Sequence, residues 1–247
     1  MAAKPGPLRP HEERRSYSRR IPATPLPGEP SLGESFLIVT EGEVTEKLYF
    51  ESVRVALQLT PVTVKVVHPN CTDAEGLVRA AMSMYEKDNH GNRVAKEAVS
   101  NRDVKVFDHV WVLFDTDVPD RQGQLGPALE LARNENIHIG HSTPSVEIWL
   151  LLHFRDRPGP LLNSTAAEHA VGAVWGHHYD KRAETFPALW AALKPNITAA
   201  VGRGAQVREY HKNAATPFPP NPSTQLDLLV RALDASVQPQ LRIISQS

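Results

Sequence analysis

The chain reads as an α/β protein, a Rossmann-like parallel sheet flanked by helices and followed by a mostly helical C-terminal extension. Two observations carry this reading. Short apolar runs of strand length, Phe36-Leu37-Ile38-Val39-Thr40 and Val110-Trp111-Val112-Leu113-Phe114, each run straight into acidic residues. Around them lie segments with apolar residues at helical spacing, and strand alternating with helix is the rhythm of parallel strands joined by right-handed crossovers.

The elements follow in order. Residues 1–33 hold seven prolines and little apolar periodicity, which predicts an extended or disordered tail. Its cluster Arg14-Arg15-Ser16-Tyr17-Ser18-Arg19-Arg20 is the clearest local basic patch, read either as a solvated tail or as a polyanion contact. After the strand at 36–40, residues 44–58 carry Val44, Leu48 and Val55 at helical spacing. Val62–Val67 alternates as a strand. Thr72-Asp73-Ala74-Glu75 has the form of a capping box and opens a helix to about Lys87. A polar connection over 88–105 leads to the strand at 108–114. Residues 125–134 read as a helix and Ile137-His138-Ile139 as a short strand. Thr143-Pro144 then resembles an N-cap with proline at the first helical position, starting an almost wholly apolar helix from Ser145 to Phe154. Four further helices are expected near 164–175, 181–193, 197–211 and 224–235, the last capped by Ser223 or Thr224 within Asn221-Pro222-Ser223-Thr224, with no strand among them. The domain boundaries are therefore set at 1–33 for the tail, 34–156 for the core and 157–247 for the extension.

Composition narrows the class. The 247 residues include 41% hydrophobic and 22% charged side chains, the balance of a globular protein. No stretch approaches a membrane span and the N-terminus lacks an apolar signal core, so a cytoplasmic location is expected. With Cys71 as the single cysteine, neither an intrachain disulfide nor a cysteine zinc cluster can form. The formal net charge of −1 gives no basic field over the whole chain, so any contact with nucleic acid must be local.

The acids at the strand ends carry the chemistry. Glu41-Gly42-Glu43 follows the first strand and Asp115-Thr116-Asp117 follows the later one. Carboxyl ends of parallel strands face the crevice where open α/β sheets bind ligands. Three or more carboxylates meeting there repel one another unless a hard cation such as Mg²⁺ or Mn²⁺ neutralises them. Gly42 is read as allowing a sharp turn and a close backbone approach. Asp115 and Asp117 are two apart, so both can reach one ion, and Asp120 is a further candidate. Glu43 and Glu46 fall near a helix start, where capping and a site role are both open. Glu147 is a lone carboxylate in an apolar helix and must be either used in the site or paired with a buried cation. His153 is read as a packing histidine, and His177-His178 as part of an exposed segment, because adjacent helical histidines diverge.

A strand closing in Glu-Gly and a later strand closing in Asp-x-Asp resembles the Toprim fold of topoisomerases, primases and a group of nucleases. Glu41 to Glu46 with Tyr49-Phe50, Glu147 to Phe154, and Asn221 to Thr224 extend the likeness. Together these segments resemble the RloB-like proteins of prokaryotic restriction and phage-defence loci, over roughly Ser35 to Leu233. The resemblance implies Mg²⁺ on Asp115 and Asp117, with Glu41 as a metal ligand or proton carrier. Glu43 and Glu147 join Glu41 as catalytic candidates, and the Tyr-x-Lys pattern at Tyr179 brings in Lys181 and Arg182 as phosphate contacts or surface charges. Pro119 stands where topoisomerases often carry a third acid. The implied activity is a Mg²⁺-dependent nuclease in antiphage defence, on RNA or DNA. The rival is a non-catalytic effector or sensor subunit of a defence complex whose ATPase is a separate chain, since no P-loop motif occurs here. A homo-oligomer is a further expectation.

Overall fold

The structure is a computed structural model. It describes residues 33–60, 64–69, 71, 73–87, 91, 93–95, 106–116 and 119–245. The basic cluster at Arg14–Arg20 and the candidate ligand Asp117 lie outside them.

A five-stranded sheet organises the molecule. Its strands are β1 (Phe36–Thr40), β2 (Val64–Val67), β6 (His109–Asp115), β7 (His138–Thr143) and β8 (Ser223–Thr224), in spatial order β2-β1-β6-β7-β8. The first four run parallel, and β8 closes the edge antiparallel to β7. From β1 the chain moves outward to β2, then crosses back to β6 on the other side of β1. The strand order thus reverses between β1 and β6, and such reversals open the ligand crevice of doubly wound sheets.

Alternation along the strands builds two cores. Phe36, Ile38, Trp111 and Leu113 face α1 (Thr45–Ala56), α4 (Glu147–Phe154) and the C-terminal helices. Leu37, Val39, Val110, Val112 and Phe114 face α2 (Ala74–Met84) and α3 (Pro119–Asn134). A period of two sends successive side chains to opposite faces, so a strand covered on both sides is apolar throughout. Every side chain of β1 is accordingly buried. The helix α4 is buried all round up to His153, as its composition requires.

The remaining helices α5 (Ser164–Trp175), α6 (Phe186–Leu193), α7 (Ile197–Asn213) and α8 (Leu226–Ala235) pack on the α1/α4 face. No helix among the described residues is long and apolar enough to cross a membrane.

Several local expectations are corrected. The helix after Asp73 stops at Met84, and Tyr85–Lys87 (β3) joins Arg93–Ala95 (β4) and Val106–Phe107 (β5) in a second, antiparallel sheet. Asp73 caps α2, its carboxylate accepting from the Gly76 N–H at 2.6 Å, while Thr72 lies outside the described residues. Thr143 ends β7 instead of capping α4, and its hydroxyl accepts from Thr116 Oγ1 at 2.7 Å. The strand expected at 137–139 extends to Thr143 and lies inside the sheet. The helix expected from 181 begins at Phe186, and the predicted all-helical C-terminal region supplies β8.

Candidate active site

Glu41 follows β1 and Asp115 ends β6, so the two acids flank the point where the strand order reverses. The Glu41 N–H donates to the Leu113 carbonyl at 2.9 Å, extending the ladder by one rung. In return the Asp115 N–H donates to Glu41 Oε2 at 2.9 Å.

Two more carboxylates arrive from helix N-termini. Glu46 lies in the first turn of α1 and Glu147 begins α4, and both are buried. Glu46 Oε1 accepts the Gly42 N–H at 3.2 Å. It therefore satisfies an amide before the helix while facing the other acids. Gly42 has none of the positive-φ geometry expected from a sharp turn. Its role is space, because a Cβ there would overlap the Glu46 carboxylate. Glu43 remains exposed, on the outer side of the same turn.

Glu147 is held by three donors. Ser145 Oγ donates to Oε2 at 2.6 Å, while Tyr179 Oη at 2.8 Å and Lys181 Nζ at 3.1 Å reach Oε1. Tyr179 Oη also meets Thr45 Oγ1 at 3.0 Å, tying the start of α1 to the loop before α6. Glu147 thus pairs with a cation, one of the two alternatives drawn from the sequence, and its charge acts on Glu46 and Asp115. Lys181 continues to Glu168 Oε1 on α5 at 3.0 Å.

Charge is concentrated here. Burial pushes the Glu46 carboxyl up to about 7, with repulsion from Glu147 and Glu41 added and a main-chain hydrogen bond opposing. Burial likewise lifts Asp115 well above the usual carboxylate range, reinforced by Glu46, Glu147 and Glu41. Burial alone would lower the affinity of Lys181 for its proton, but Glu147 and Glu168 reverse that and raise it. Mutual repulsion among desolvated acids is the state that a cation relieves.

The donors are carboxylate oxygens, the set that suits a hard divalent cation rather than a soft one. Among the described residues, no three acidic, imidazole or thiolate groups are already drawn into one coordination shell. Asp117, the remaining acid of the Asp-x-Asp pair, lies outside those residues. The fit is thus one of donor chemistry and electrostatic demand.

Other candidates separate from the site. Arg182 is exposed and pairs with Asp180 at 3.4 Å. His177 and His178 are exposed. His153 is buried between the Trp149 carbonyl at 2.9 Å and Tyr49 Oη at 3.1 Å, a packing role. Sequence reasoning gave Tyr179 and Thr45 no part in the site. The signal for Tyr179 was its place in the Tyr-x-Lys pattern of the family resemblance, which was used there only to bring in Lys181 and Arg182.

The RloB-like protein family model matches residues 36–233. The chain belongs to that family, and the match spans the sheet, all of the acids above and the helices behind them. No curated protein and no solved structure matches the chain.

Proposed function

We propose that the protein is a divalent-cation-dependent nuclease of the Toprim type, cutting nucleic-acid phosphodiesters in defence against phage. The observation that carries this reading is the meeting of Glu41, Glu46, Asp115 and Glu147 at the reversal point of a parallel sheet. Asp115 and Asp117 would hold Mg²⁺ or Mn²⁺, with Glu41 completing the set. When bound, such an ion polarises a scissile phosphate and lowers the proton affinity of water.

The chain's own residues do the rest. Glu41 is held in place by the Asp115 N–H, which donates to its Oε2. Glu46 sits near neutrality and can carry a proton at working pH, the property wanted of a general acid or base. Glu147, clamped by Ser145, Tyr179 and Lys181, fixes the far wall of the crevice. RNA, tRNA included, and DNA are both candidate substrates.

The test is to sequence the ends of cellular RNA and DNA after induced expression of wild type and of Asp115→Ala. Cuts confined to the wild type support the reading and name the substrate. Identical ends in both strains, together with no Mn²⁺-dependent cleavage by purified protein, would overturn it.

A further inference from the structure

We propose that the segment 155–162 and the loop joining α7 to β8 form a docking surface for an unpaired nucleic-acid strand beside the crevice. This rests on the nuclease reading above and deepens it by naming the conformation of the substrate.

The loop meets the sheet at the edge where the acids lie. β8 pairs antiparallel with β7, and its first residue, Ser223, stands opposite Thr143, the last of β7. On the other side of β7, Ser142 stands opposite Asp115. The loop therefore enters at the carboxyl edge of the parallel strands, and β8 is two strands from β6, about 10 Å away. Side chains pin the loop in this place. His211 Nε2 meets the Pro222 carbonyl at 2.7 Å and His211 Nδ1 meets Thr216 Oγ1 at 3.1 Å. The Asn221 side chain clasps the segment 155–162, accepting the Leu161 N–H at 3.2 Å and donating to its carbonyl at 2.7 Å.

This framework presents aromatic and basic groups together. Leu162, Tyr210 and Phe218 are three of the four large apolar side chains exposed among the described residues. Single exposed apolar side chains need no explanation, but a group of them on one framework marks an interaction site. Phe218 is 43% exposed and stacks on the buried ring of His141, with centroids 5.2 Å apart and planes inclined by 28°. Tyr210 is 55% exposed, with the Arg157 guanidinium 6.0 Å from its ring centroid. Arg155 and Arg157 are themselves exposed. The acids of these two stretches already have cations, Asp156 with Arg203 at 2.7 Å and Glu209 with Lys212 at 3.5 Å. Backed rings beside guanidinium groups match a strand that offers bases to stack and phosphates to neutralise. A duplex keeps its bases stacked inside, so rings of this kind select the unpaired strand. With a net charge of −1 over the whole chain, attraction of a polyanion depends on such a local set.

The experiment is fluorescence anisotropy of labelled single strands of about 12 nucleotides, RNA and DNA, and of the matching duplexes. Each is titrated with the full chain in chelator, where no cutting occurs, and melting temperatures are followed in parallel. Wild type should bind a single strand at least tenfold more tightly than the duplex. Tyr210→Ala and Phe218→Ala should each weaken that binding by about tenfold with the melting temperature unchanged, and Tyr210→Phe should bind as wild type does. Arg157→Met should flatten the salt dependence by about 0.7 in the slope of log affinity against log salt. Wild-type affinity in both alanine variants, or equal affinity for strand and duplex, overturns this inference while leaving the nuclease reading to its own test. Strand binding that needs both rings, without Mn²⁺-dependent cleavage, removes the nuclease reading and keeps the surface.

Discussion

The Asp115 N–H donates to Glu41 Oε2 at 2.9 Å, so the acid closing β1 is anchored on the backbone that presents the acid closing β6. Two side chains distant in sequence thereby share one fixed frame at the centre of the sheet. The frame separates two functions of Glu41 that substitution can resolve. Glu41→Gln keeps an acceptor for the amide and should fold with stability within about 1 kcal/mol of wild type while losing cleavage. Glu41→Ala leaves the amide without that acceptor and should cost about 1–2 kcal/mol more. Urea denaturation of both variants checks this, and equal stability of the two would argue against the anchoring role.

Glu46 predicts a pH dependence. Its carboxyl is raised from 4.5 to about 7, so the folded state holds the proton more tightly than the unfolded chain does. The stability tied to that proton is fully present below about 4.5 and is lost as pH rises through about 7. Asp115, raised in the same direction, adds to the loss. In chelator, Glu46→Gln should therefore match wild type near pH 4.5 and exceed it by up to about 3 kcal/mol at pH 8. Denaturation at the two pH values reads the difference, and parallel curves would refute the assignment.

Gly42→Ala should act through Glu46 rather than through the backbone. The added methyl overlaps the carboxylate, so Glu46 must swing away and release the Gly42 amide. Cleavage should drop at least tenfold, a loss of about 1.4 kcal/mol in transition-state stabilisation. Pairing it with Glu46→Gln gives a cycle in which the second change adds little to the first. Full additivity would mean that the glycine serves something else.

Glu147→Gln should abolish cleavage and lower stability by about 1–3 kcal/mol. The upper range for a stranded buried charge, about 3–5 kcal/mol, is not expected, because Lys181 keeps Glu168 and reaches solvent. Tyr179→Phe removes one donor from Glu147 and the partner of Thr45, and should cost about 1 kcal/mol. A Glu147→Gln protein that cuts normally would remove Glu147 from the site.

The strands and acids nearest the centre were legible because their signals are local: an unbroken apolar run at 36–40, another at 110–114, and carboxylates immediately after each. What was not legible depends on pairing between distant segments. The small sheet β3-β4-β5 falls partly within a polar connection that has no alternation to reveal it. β8 is two residues long and exists because Ser223 and Thr224 find the open edge of β7. The choice between Glu43 and Glu46 turned on the helix phase. Glu43 lies in the turn before α1 and Glu46 in its first turn, and boundaries read from sequence are not sharp enough to separate the two. Lys181 was read as a phosphate contact or a surface charge, because the carboxylate that it meets lies far away in sequence, on α4.

The loop carrying Tyr179 and Lys181 has a consequence for the order of synthesis. All four crowded acids leave the ribosome before the tyrosine and the lysine that steady Glu147, and before Ser223 and Thr224 can cover the last strand of the parallel set. A nascent chain ending near residue 156 would hold its acids without that counter-charge and expose the face of α4 that α5 and α7 later cover. Completion of the crevice is thus timed by translation of the C-terminal half, and a truncated product would carry the acids without the walls that set them in place.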